Sequence, residues 1–75
     1  MTYTARELLA NGVDELVVRV RAWRRAKRLT QDEFAELIGL HPQTVAATEV
    51  GRLKLSRPIR EKYERFAQEQ GAPTP

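Results

Sequence analysis

A chain of 75 residues without cysteine forms one domain at most and has no disulfide to reinforce a small core. Its composition, 41% hydrophobic and 31% charged, is that of a soluble globular protein, and no apolar run approaches the roughly 20 residues that span a bilayer. The formal charge of +3 is a weak pointer to an anionic partner, and the polar start Met-Thr-Tyr-Thr-Ala-Arg-Glu lacks a signal-peptide pattern, so a cytoplasmic protein is expected.

In chain order, Thr4-Ala5-Arg6-Glu7 has the spacing of a capping box. The short helix it opens is expected to stop at Asn11-Gly12, where positive φ is cheap. A longer helix follows over about 13–27, with Val13, Leu16, Val17 and Val20 at helical spacing and Trp23 and Ala26 extending the stripe. Its valines lower intrinsic propensity, so it depends on tertiary packing. Thr30-Gln31-Asp32-Glu33 is a second capping box. The helix it starts carries Phe34, Leu37 and Ile38 inward and Glu36 outward, and ends at Gly39. His41-Pro42 begins the next helix, since proline suits the first turn, and Gly51 closes it after about Val50. Arg52-Leu53-Lys54-Leu55 is a connector. Ser56 caps a last helix, from Arg57 or Pro58 to Gln70, with Ile59, Tyr63, Phe66 and Ala67 inward. Residues 71–75 have no periodicity and are expected to be disordered. With no strand pattern, repeat or linker, the expected fold is all-α: a compact bundle of about five short helices. An N-terminal extension is expected at 1–12, the main domain at 13–70, and a tail at 71–75.

The charge is segregated. Arg19, Arg21, Arg24, Arg25, Lys27 and Arg28 crowd one segment, and Arg52, Lys54, Arg57, Arg60, Lys62 and Arg65 another. From Leu29 to Gly51 there is no lysine or arginine, and the charged residues are Asp32, Glu33, Glu36 and Glu49. Such blocks are either the solvated faces of amphipathic helices or surfaces for phosphate. The insert between them is the informative part. Two short helices crossed at a glycine corner form a helix-turn-helix, whose second helix is a rod that fits a DNA major groove.

The quoted residues carry a resemblance. Val20, Trp23 and Arg24 in VRAWR, then LTQDEFAELIGL, then TVAATEVGR resemble the phage-repressor/Cro type of helix-turn-helix domain, the XRE family. The resemblance covers somewhat under half the chain, from Val20 to Gly51. It implies a lambda-repressor-like fold and sequence-specific binding of double-stranded DNA as a transcriptional regulator, with repression by promoter occupancy ahead of activation. It also implies an ion pair between Arg24 and Glu49. Departures from the family pattern are Thr48 in place of a larger apolar residue, Arg28 where glycine often ends the first helix, and His41-Pro42 at the start of the recognition helix.

On that reading helix 42–50 presents Pro42, Gln43, Ala46 and Ala47 outward, with Thr44 at the margin. Gln43 is the base reader, because its amide matches adenine N6 and N7; Pro42, Ala46 and Ala47 offer apolar contact to thymine methyls. Phosphate contacts are expected from Gln31, His41, Arg52, Lys54, Lys27 and Arg28. The resemblance gives Arg57 a minor-groove or backbone role, with an exposed helix-start arginine as the alternative. A homodimer formed mainly on DNA is expected, through Leu40, Val50, Leu53 and Leu55 or through Tyr3, Leu8 and Leu9, unless those residues simply close the core, the preferred reading for Leu53 and Leu55. The runner-up function is an antitoxin or other regulator whose protein partner contacts the N-terminal segment or tail. One histidine, no cysteine, no paired carboxylates and no glycine-rich phosphate loop argue against an enzyme, a metal, a cofactor or a small-molecule substrate. The apolar stripe of the basic helix is assigned to the core rather than to a membrane surface.

Overall fold

A computed structural model describes residues 3–70. Among them are five helices: α1 (Ala5–Ala10), α2 (Glu15–Ala26), α3 (Gln31–Ile38), α4 (Pro42–Glu49) and α5 (Arg57–Gln70). The tail over 71–75, expected to lack order, lies outside the described residues.

The starts of α1 to α4 each have a local cause in a side-chain cap. Thr4 and Glu7 form a reciprocal capping box on α1, and Thr30 and Glu33 do the same on α3. Asp14 caps α2, its Oδ1 accepting from the Leu16 amide at 2.9 Å, a cap not anticipated from the sequence. At α5 the Ser56 carbonyl accepts the first backbone bond, from the Arg60 amide at 2.9 Å, but the expected side-chain cap from Ser56 does not form. Positive φ at Gly12, Gly39 and Gly51 breaks the chain direction after α1, α3 and α4.

The core lies between α2, α3 and α5 and is filled by aromatic rings. Phe66 meets Trp23 and Phe34 edge-on, with centroids 5.0 and 5.1 Å apart. Val17, Val20, Val45 and Tyr63 complete it, and Leu8 of α1 is buried in the same cluster. Two inward assignments change, and one core residue was not anticipated. Leu37 is 60% exposed and Ala26 is exposed, while Val18 is buried. The eight residues of α3 make little more than two turns, so Phe34, Ala35 and Ile38 occupy its inner face and Leu37 falls outside it. Val18 is covered because α2 is wrapped on more than one side. No helix of the described residues is long and apolar enough to cross a membrane.

Candidate nucleic-acid interface

The corner between α3 and α4 is built by hydrogen bonds to one carbonyl. The Gly39 and Leu40 amides both donate to the Ala35 carbonyl, at 2.9 and 3.0 Å, with Gly39 at φ +77°. Lys62 of α5 reaches across and donates to the Gly39 carbonyl at 3.0 Å. Ala35 is fully buried, since any larger side chain there would separate the two helices. His41 then caps α4: its Nδ1 accepts from the Gln43 amide at 3.1 Å, and Pro42 takes the first turn. Val45 is completely buried and fixes which side of α4 faces the core.

The far end of α4 is locked from behind. Arg24 donates through Nε to Glu49 Oε2 at 2.9 Å and through Nη2 to Oε1 at 3.0 Å, a bidentate pair. Its Nη1 donates to the Leu29 carbonyl at 2.7 Å, so one guanidinium ties α2, the α2–α3 turn and α4 together. The Gln31 side-chain nitrogen also donates to Glu49 Oε1, at 3.0 Å. Glu49 is 2% exposed, and this triple anchoring is what allows a carboxylate to sit there. Gln31 therefore spends one N–H on the core and keeps one for other partners. The hydroxyls of Thr48 and Tyr63 are buried without a hydrogen-bond partner. Burial pushes the Tyr63 phenol well above its ordinary range, and the Glu49 charge pushes it the same way.

On its opposite side α4 is open. Gln43 is exposed, and Pro42, Thr44, Ala46 and Ala47 are half-buried. A concavity of about 590 Å³ is lined by Gln43, Thr44, Ala46, Ala47, Arg52 and Leu53. The last two are there because Gly51, at φ +85°, turns the chain back: the Arg52 and Leu53 amides donate to the Ala47 carbonyl at 2.9 and 3.2 Å. Arg52 thus lines the outer face of α4, whereas Lys54, the other basic residue of the connector, does not. Leu53, preferred above as a core residue, is 39% exposed in the same concavity. The signal that locates both was in the sequence: a glycine closing a helix brings the residue after it back against the last turn.

The remaining basic residues divide. Arg60 pairs with Asp14, and Lys62 donates to the corner carbonyl, so both serve the fold. Lys54 is exposed; Arg57 is 91% exposed at its side chain and stands 3.4 Å from Glu61 one turn on. Lys27 and Arg28 are exposed at the end of α2, Lys27 lying 6.0 Å from the Trp23 ring centre. Arg28 adopts φ +58°, a strained conformation for a residue with a Cβ. Of the apolar residues considered for a dimer contact, Leu8 is buried and Leu40 and Leu55 pack on the core, leaving Tyr3, Leu9, Val50 and Leu53 exposed. The described residues include no group of histidines and carboxylates spaced to hold a metal ion.

Comparison with protein families matches residues 20–65, more than half of the chain, to the helix-turn-helix profile. No curated protein and no solved structure matches.

Proposed function

The chain belongs to the helix-turn-helix family of the XRE kind, a family of DNA-binding transcription regulators, and from that premise we propose that it is a repressor which occupies an operator with α4 in the major groove. The observation that carries this is the two-sidedness of α4. Its Val45 and Glu49 side is fixed to the body by burial and by Arg24, while its Gln43, Ala46 and Ala47 side is unobstructed and lined by small or polar groups. A rigid rod with a free polar face costs little to order on binding, which favours recognition.

Base reading falls to Gln43, with Thr44 at the margin and apolar contact from Pro42, Ala46 and Ala47. The alanines contribute little direct readout, so local DNA shape supplies part of the preference. Phosphates are met by the free N–H of Gln31, by His41 at the start of α4, by Lys54 and Arg57 after it, and by Lys27 and Arg28 at the end of α2. Two copies bind two half-sites about one helical turn apart and pair mainly once on DNA, using Val50 beside the connector, or Tyr3 ahead of α1 together with Leu9 on it. Repression is steric, by denying polymerase the promoter.

Selection of bound duplexes from a random pool tests the reading. A repeated half-site at a spacing of about 10 base pairs is expected. Recovery of duplexes with no common motif would contradict it.

A further inference from the structure

We propose that Arg52 is a base-reading residue, specifying a guanine next to the bases read by α4, rather than one more phosphate contact. The inference rests on the function proposed above and adds a specificity determinant to it.

Three observations converge. First, Arg52 lines the same concavity as Gln43, Thr44, Ala46 and Ala47, on the side of α4 that is open. Second, its backbone is not free to wander: the amide is held by the Ala47 carbonyl at 2.9 Å, and Gly51 at φ +85° sets the direction of return. The side chain therefore starts from a fixed point beside the last turn of α4. Third, Arg52 is exposed and takes part in none of the ion pairs among the described residues, whereas Arg24, Arg57 and Arg60 are each paired.

The chemistry of the neighbouring positions explains why a long side chain is needed there. Ala46 and Ala47 end at Cβ, so along this part of α4 nothing from the helix itself can donate a hydrogen bond to a base. An arginine side chain that starts from the same concavity is long enough to reach the space they leave. Its planar guanidinium presents two parallel N–H groups, which match the O6 and N7 acceptors that only guanine displays side by side in the major groove. Leu53 lines the same concavity.

The test compares the wild-type chain with Arg52→Lys and Arg52→Ala by selection from a random duplex pool, followed by salt titration of binding to the wild-type consensus. Both substitutions fall at an exposed position whose amide hydrogen bond any residue but proline retains, and an unchanged melting curve verifies folding. Lysine keeps the charge but loses the paired donors. The expected result is that both variants lose a guanine preference at one position of each half-site, by about 5- to 150-fold, with the rest of the motif intact. Arg52→Lys should do so at an unchanged salt slope. A phosphate role predicts the opposite: the motif is unaltered, Arg52→Ala weakens all sequences alike, and its salt slope falls by about one. That outcome overturns the assignment while leaving the proposed function standing. A wild-type selection without any motif overturns both.

Discussion

Glu49 is buried and is held there by three side-chain hydrogen bonds, two from Arg24 and one from Gln31. Glu49→Ala would strand the Arg24 guanidinium in the interior, a loss of about 3–5 kcal/mol for a broken buried pair. Chemical denaturation should register it as a large fall in midpoint, and an unchanged midpoint would contradict the anchoring role. Thr48 calls for the opposite change. Its hydroxyl finds no partner, so Thr48→Val keeps the shape and removes a desolvated polar atom, with an expected gain of about 1 kcal/mol in the same measurement. The sequence did not disclose the Thr48 and Tyr63 hydroxyls as unsatisfied, because satisfaction depends on what α2 and α5 place around them. The Arg24–Glu49 contact, separated by 25 positions, was legible only through the family resemblance; no local pattern pairs those two residues.

At the scale of helices, the boundaries were the most legible part. Threonine followed three residues later by glutamate marked α1 and α3, and glycines marked the ends, since both devices act within a few residues and need no tertiary context. Facing was less legible. Leu37 and Ile38 are both compatible with an inner stripe on so short a helix, and only the position of α5 decides between them. The caps also carry a pH dependence. The Thr4 amide and hydroxyl hold the Glu7 carboxyl below its ordinary range, and Thr30 does the same for Glu33. Burial alone would raise the Asp14 carboxyl, but the Leu16 amide and Arg60 together outweigh it and lower it. Carboxylates lowered in the folded state contribute stability above their unfolded values near pH 4 and lose it as pH falls through the folded values. Melting temperature should therefore decline below about pH 4.5, and Glu33→Gln should flatten part of that decline. A profile unaltered by the substitution would remove the capping carboxylate from the account.

For the whole molecule, the arrangement amounts to a rigid body with one open helix face. Most of it hangs on α5, which supplies Tyr63 and Phe66 to the core and Lys62 to the corner carbonyl behind α4. Net charge gave little guidance at this scale, because Arg24, Arg60 and Lys62 are occupied within the fold; the proposed interface assigns Lys27, Arg28, Lys54 and the solvent-exposed Arg57 to phosphate. Four such cations predict that log affinity falls against log salt with a slope of about −3 to −4 per subunit. A slope near zero would remove the electrostatic part of the interface.

The central claim is that α4 enters the major groove, and replacing single purines of a selected duplex by their 7-deaza analogues tests it most directly. That change deletes one major-groove acceptor and leaves Watson–Crick pairing and the minor groove as they were. The account predicts marked loss of affinity at the few positions beneath Gln43 and its neighbours, and a loss at the adenine position that disappears in Gln43→Ala. Full affinity for every deaza-substituted duplex, with sensitivity appearing only when minor-groove groups are altered, would contradict it.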